Sequence, residues 1–307
     1  VMAETGERLE KRAYDLIVEN GYKKHDRFPV LDAVWPTVAP AVPLFVAGPN
    51  ARLQIVCDAL NTFLEFTGRW DERLSLSQQA EAKAVLAGDF HKSGRRAYQM
   101  GYVHYLRQEA DAVLACAGRA AVHWQNATVD AHERACAVRL RGLGYDLKTN
   151  YTFALAAYRE TLALYLSLSA ESEDVAIMLN DIAAVERLSG DAVAAESNYR
   201  EALRIASAVR YAEGEAYITG NLAELTLDRG DWPGAEKLAR KALPLSEQVG
   251  RQQLIAADCH RLARALVRQG RPAEARPYAQ RALDIYTRLG VASDIADARA
   301  LLDECAG

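Results

Sequence analysis

Through most of the chain, apolar residues recur at three- and four-residue intervals, the spacing that gathers them on one face of an α-helix. Polar breaks interrupt these runs regularly, and three segments superpose. One runs from Leu222-Ala223 through Gly230-Asp231 to Ala235 and Ala242-Leu243. The others run from Ile182-Ala183 through Gly190-Asp191 to Ala195 and Ala202-Leu203, and from Leu262-Ala263 through Gly270 to Ala275 and Ala282-Leu283. In each, a small residue lies seven before the Gly, an Ala five after it, and an Ala-Leu pair twelve and thirteen after it. Equivalent positions fall at Gly68, Gln108, Thr149, Gly190, Gly230 and Gly270, with spacings of 40, 41, 41, 40 and 40. Each unit therefore predicts two helices joined by a turn, in which Gly takes the left-handed backbone conformation and Asp caps the second helix. Gly101, Gly142, Ala183, Ala223 and Ala263 on the first helices, and Ala154, Ala195, Ala235 and Ala275 on the second, mark where paired backbones cross closely.

This pattern of small residue, Gly-Asp turn, Ala and Ala-Leu resembles the tetratricopeptide repeat, in a long variety of about 40 residues. The resemblance implies an all-α, right-handed α-solenoid of antiparallel helix pairs, with six units over 51–290. Residues 1–50 do not repeat and are expected to form a degenerate helical cap; 291–307 are expected to end the stack as a capping helix, with Asp294, Asp297, Asp303 and Glu304 on a solvated face. Departures concentrate in the first three units: Arg73 stands at an Ala position, and Gln108 and Thr149 replace turn glycines. In the cap, Pro36, Pro40 and Pro43 predict a short or kinked helix, because each removes an amide donor. The stretch Phe28–Pro36, followed by long repeats, resembles the segment that joins the nucleotide-binding portion to the sensor repeats in bacterial signal-transduction ATPases with numerous domains (STAND). That resemblance, with Val1 rather than Met at the start, implies the sensor end of a longer protein; a stand-alone repeat protein is the alternative.

Composition agrees with a helical repeat. Of 307 residues, 50% are hydrophobic but only 8% aromatic, so the core is built from Ala, Leu and Val, which suit close helix packing better than a twisted sheet. A net charge of -4, from 41 acidic and 37 basic side chains, supplies no field for nucleic acid or an anionic membrane. Purely apolar runs such as Leu44–Ala47 fall short of the ~20 residues that cross a bilayer. Cys57, Cys116, Cys136, Cys259 and Cys305 form no C-x-x-C pair, which points to reduced thiols in a cytoplasmic protein.

Catalytic chemistry finds no purchase. Ala87–Ser93 contains Lys92-Ser93, but His91 and Leu86 or Ala87 occupy the glycine positions of a phosphate-binding loop, so the backbone cannot wrap a phosphate. Gly142-x-Gly144 falls within a helix. No two of the six histidines have the i, i+4 spacing of a helical metal site; His123 and His132 flank a turn and could approach one another. No cofactor or metal is expected, and an enzyme is not.

What remains is the concave face, which first helices line in such stacks. There the register places Arg95, Tyr98, Tyr102 and Tyr105, then Arg139, Asn180, Arg187, Tyr217, Asn221, Glu224, His260, Arg264 and Arg268. Tyr and Arg commonly anchor interfaces, since they join contact area to a directed polar group. The resemblance implies that Asn180 and Asn221 hold a bound peptide's backbone. Packing explains the tyrosines equally well, pairing with neighbouring carboxylates the arginines, and a bond to the next helix the asparagines. The expected function is a non-enzymatic module that binds a protein or peptide segment in its groove; a receptor for a signalling peptide or small molecule, or a self-association scaffold, are the alternatives. A closed pocket between the second and sixth units would favour the receptor.

Overall fold

The computed structural model describes residues 2–305; Val1, Ala306 and Gly307, at the ends of the two expected caps, lie outside them. Among the described residues there are sixteen α-helices, two 3-10 turns and no strand. Six antiparallel pairs follow one another: α4 (Asn50–Phe66) with α5 (Trp70–Leu86), α6 (Phe90–Leu106) with α7 (Ala110–Asn126), α8 (Ala131–Leu147) with α9 (Tyr151–Leu168), α10 (Glu173–Leu188) with α11 (Ala192–Ala208), α12 (Ala212–Asp228) with α13 (Trp232–Val249), and α14 (Gln252–Arg268) with α15 (Pro272–Leu289). A last helix, α16 (Ala292–Glu304), packs on α15. This is the all-α solenoid that the repeat predicts.

The turns explain the period. Gly68, Gly190, Gly230 and Gly270 have φ between 74° and 93°, and Gln108 and Thr149 take φ of 60° and 56° at the same position of their units. Asp191 and Asp231 then cap α11 and α13, accepting hydrogen bonds from the Ala194 and Gly234 amides at 3.0 and 2.9 Å. Where the paired helices cross, there is no room for a larger side chain. A Cβ on Gly101 would stand 2.5 Å from Leu140 Cδ2 and 2.8 Å from Cys116 Cβ, and one on Gly142 would stand 2.5 Å from the Tyr158 ring. The first unit solves its crossing differently. Arg73 is buried at the Ala position, donates to Asn61 Oδ1 at 3.0 Å, and lies 2.9 Å from Glu65. A polar pair replaces two small residues.

Before the repeats, α1 (Met2–Asn20) and α4 flank a broken segment: a 3-10 turn at His25–Arg27, α2 (Phe28–Val38), a second 3-10 turn at Ala39–Ala41, and α3 (Val42–Ala47). Pro36, Pro40 and Pro43 account for the breaks. The stretch His25–Ala47 is long and apolar enough, by length and composition, to cross a membrane. Here it is divided into four pieces, and Phe28, Leu31, Trp35, Val38 and Phe45 pack with Ile17 and Phe63 in the N-terminal core.

The curvature of the stack brings its end back to its beginning. Trp70, Val103 and Leu106 share a buried cluster with Ile255, Ile285, Leu289, Val291 and Leu301. Gly68 faces Leu289 so closely that a Cβ there would stand 2.5 Å from Leu289 Cδ2. Gln108, at the second unit's turn, donates to Asp294 of α16 at 2.9 Å. The two ends of the concave face therefore meet, and the space between them stays partly open to solvent.

Candidate functional site

The concave face is built from the first helix of every unit. A cavity of about 270 Å³ is lined by Glu65 of α4, Tyr102 and Tyr105 of α6, Arg139 of α8, Ile177 of α10, Tyr217 of α12, Gln253 of α14 and Asp294 of α16, with Tyr211, Glu213 and Arg251 at the helix starts. A second cavity, of about 330 Å³, continues from it past the shared residues Glu65, Tyr102 and Arg139 to Tyr98, Arg95, Trp124, His132 and Cys136. Both volumes are near the lower end of small-ligand pockets.

Arg251 is the keystone of the joint between the ends. It stands just before α14, is 7% exposed, and reaches across the superhelix. Its guanidinium lies 2.9 Å from Glu65 Oε1, donates to Tyr102 Oη at 3.0 Å and pairs with Glu213. It also lies over the Phe66 and Tyr102 rings, 5.6 and 5.8 Å from their centroids. Burial opposes the charge, but Tyr102, Glu213 and Glu65 outweigh it and hold the guanidinium protonated. His25 sits edge-on to Phe66 at 4.6 Å, so the segment before the repeats supports the same joint.

Behind the lining, a polar ladder links successive first helices. Arg139 donates to Asp181 at 2.8 Å; Asn221 donates to Asn180 at 2.9 Å; Arg261 donates to Asn221 at 3.1 Å, to Asp258 at 3.0 Å and to Glu224 at 3.2 Å. Each member of this ladder thus finds a partner, most of them in the neighbouring unit, as the low-dielectric interior demands. Burial would raise the Glu224 carboxyl, but Arg261 and Arg264 overcome it and hold it down at about 2. Asp146 has no cation in contact: burial, then the nearby Asp181 charge, push it up to about 6.

The stripe read from the sequence accordingly divides. Tyr98, Tyr102, Tyr105, Arg139 and Tyr217 line the two joined cavities. Asn180 is fully buried and Asn221 nearly so, and both amides are engaged in the ladder, so in this conformation neither faces a ligand. Arg187 pairs with Asp228 at 2.5 Å and Arg264 with Glu224 at 2.5 Å, which is the neighbouring-carboxylate alternative. His260, Arg264 and Arg268 line a separate cavity with Asp297 and Glu304. His123 and His132 do not pair; His123 lies 3.0 Å from Glu81 and His132 lies 3.5 Å from Asp174. Among the described residues no three His, Cys, Asp or Glu side chains are placed to hold a metal ion.

Glu65, Glu213, Tyr211 and Arg251 are lining residues that the stripe omitted. Register does mark Glu65: it precedes Gly68 by three, as Tyr105 precedes Gln108 and Arg187 precedes Gly190. Tyr211 and Arg251 stand in the joints between units, outside the helical periodicity, and carry no such signal.

Residues 174–248 and 214–288 match the tetratricopeptide repeat family, so the chain carries these repeats over its later units. Comparison with curated proteins gives no match. Among solved structures, the chain is similar to a Rap protein complexed with competence and sporulation factor, at 11% identity and a TM-score of 0.62 over 92% of this chain and 84% of that one. It is also similar to the apo form of RapI, at 12% identity and a TM-score of 0.54 over 83% and 70% of the two chains. A third similarity is to the apo form of the quorum sensor NprR from B. thuringiensis, at 13% identity and a TM-score of 0.52 over 98% and 81%. At these identities the likeness is one of fold.

Proposed function

We propose that this protein is a non-enzymatic receptor that encloses a short peptide in the channel formed by its first helices. The observation that supports the reading is the meeting of the superhelix ends through Arg251, Gln108 and Leu289, which narrows the groove to two joined, partly open cavities. Narrow cavities suit short ligands; an open arc suits the long surface of a folded partner. Tyr102, Tyr105 and Tyr217 offer aromatic walls for an apolar side chain, and their hydroxyls, with Glu65, Glu213 and Arg139, offer the directed donors and acceptors that a peptide backbone needs. Lining cations are matched by carboxylates, so shape and hydrogen bonding select more than charge. The complex of a Rap protein with competence and sporulation factor, on a similar fold, supports a signalling peptide as the ligand class.

The Phe28–Pro36 stretch adds a setting: the sensor region of a larger bacterial signal-transduction ATPase. There, a ligand that binds the closed ring better than an opened one shifts the attached portion by that difference in affinity. Native mass spectrometry of the chain with a pool of synthetic short peptides tests the receptor reading. Wild type and Arg268→Glu, altered at the separate cavity, should retain the same peptide, whereas Tyr105→Ala with Tyr217→Ala should lose it. Retention by the double-tyrosine variant, or no peptide held by the wild type, would overturn the channel assignment.

A further inference from the structure

One side-chain cluster unites a thiol, an imidazole and a carboxylate. Cys136 follows His132 by four residues on α8, which puts the two on one helix face. Its Sγ lies 3.8 Å from His132 Nδ1, and the opposite ring nitrogen, Nε2, lies 3.5 Å from Asp174 Oδ2 at the start of α10. From α9, Tyr165 brings its hydroxyl to 3.6 Å from Sγ and its ring to 5.7 Å from the imidazole. Because Cys136 and Asp174 use opposite sides of the ring, they orient the imidazole rather than converge on a metal. The hydrogen bond to Asp174, then that to Cys136, push His132 up to about 11, so near neutral pH it is an imidazolium whose two ring nitrogens both donate.

Three further features set this thiol apart. It lines the cavity of about 330 Å³ beside Tyr98, Arg95, Trp124 and Arg139, with room for a small molecule. The charged and titratable groups that line its cavity or contact the cluster are His132, Glu133 and Arg139 from its own helix, His91, Arg95, Tyr98 and Tyr102 from α6, Glu65 from α4, Arg73 from α5, Tyr165 from α9 and Asp174 from α10. Cys57, Cys116, Cys259 and Cys305 are buried, and burial pushes the Cys57 and Cys259 thiols up to about 12.

We propose that Cys136 is a thiol–disulfide exchange site that takes up a low-molecular-mass disulfide from this cavity. Cys136 reacts as the thiolate held beside the His132 imidazolium, and its Sγ attacks one sulfur of the disulfide. An S–S bond forms to Cys136, the original disulfide bond breaks with its electron pair on the departing sulfur, and the imidazolium gives its proton to that sulfur. A thiol and a disulfide thus yield a mixed disulfide and a new thiol, with no other oxidant. Asp174 acts through His132 as a positioning residue. The cavity is joined to the channel through Glu65, Tyr102 and Arg139, but the exchange itself requires no peptide there.

The test is incubation of the native chain with glutathione disulfide, followed by intact mass and peptide mapping. The expected product is one glutathionyl group, on Cys136, formed about tenfold faster than on the same cysteine in the urea-unfolded chain. Cys136→Ser should abolish the adduct. His132→Gln should bring the rate down to that of the unfolded chain at an unchanged melting temperature. Asp174→Asn should slow exchange and Asp174→Glu restore part of it, a rescue that depends on the carboxylate rather than on packing. First reaction at another cysteine, a native rate no greater than the unfolded one, or a His132→Gln rate equal to wild type would overturn the proposal. The comparison of native with unfolded chain needs no variant, so it decides the matter even where a substitution disturbs folding.

Discussion

Replacing Arg251 with Met keeps the side chain's bulk and removes the charge that closes the superhelix. A pair of unit charges about 4 Å apart, at an effective dielectric constant of about 20, gains roughly 4 kcal/mol, much of it offset by desolvation. Deleting one member of a buried pair costs about 3–5 kcal/mol, because the other charge is stranded. Glu65, however, retains Arg73 at 2.9 Å, so the substitution strands only Glu213, which is partly exposed. The expected loss is therefore at the lower end, about 3 kcal/mol, or about 5 °C in melting temperature for a chain of this size. Circular dichroism melts would measure the loss, and small-angle scattering would show an increased radius of gyration as the ring opens. Adding Glu213→Gln to Arg251→Met should recover most of the stability, since no unpaired charge then remains. A loss below about 1 kcal/mol, the scale of exposed ion pairs, with an unchanged radius would refute the claim that Arg251 holds the ends together.

Asp146 binds its proton more tightly folded than unfolded, so stability should fall by about 2–3 kcal/mol as pH rises from about 4 to 6, and Asp146→Asn should remove that fall in urea titrations across the range. Glu224 has the opposite sign: its contribution is full above about pH 4.5 and is lost as pH falls towards 2, so acid titration of Glu224→Gln should show a shallower loss than wild type. Gly142→Val should cost about 1–3 kcal/mol in chemical denaturation, because the added carbons meet the buried Tyr158 ring. Thr149→Gly should stabilise by roughly 1 kcal/mol in the same assay, since Thr149 holds a left-handed conformation and its hydroxyl bonds only to the Lys148 carbonyl.

The helix pairs were legible because their determinants are local. A turn residue, a cap and a small residue at the crossing act within one unit and repeat every 40 or 41 residues. Even Gln108 and Thr149, without glycine's freedom, keep the left-handed turn, because the helices on either side dictate it. The return of α16 to α6 was not legible. Gln108 and Asp294 are 186 residues apart, and their meeting depends on a small rotation per repeat summed over five repeats, which no local pattern encodes. The site divides along the same line. Spacing put the tyrosines and Arg139 on the inner face, but it could not say that the carboxylate facing Arg264 is Glu224, or that Asn180 and Asn221 would satisfy each other. Those outcomes depend on the lateral distance between neighbouring helices, and the burial of both asparagines follows from how closely the helices approach.

Closure also changes how such a molecule comes apart. An open stack of repeats is a line whose end units have one neighbour each and fray first, its stability a sum of unit and nearest-neighbour terms. With Leu289 seated at Gly68 and Arg251 bound to Glu65, the line acquires a boundary condition joining its ends. The first repeat cannot loosen without surrendering an interface to the last. Amide hydrogens of α4 and α16 should then exchange together, and a deletion at either end should lower the protection of the other.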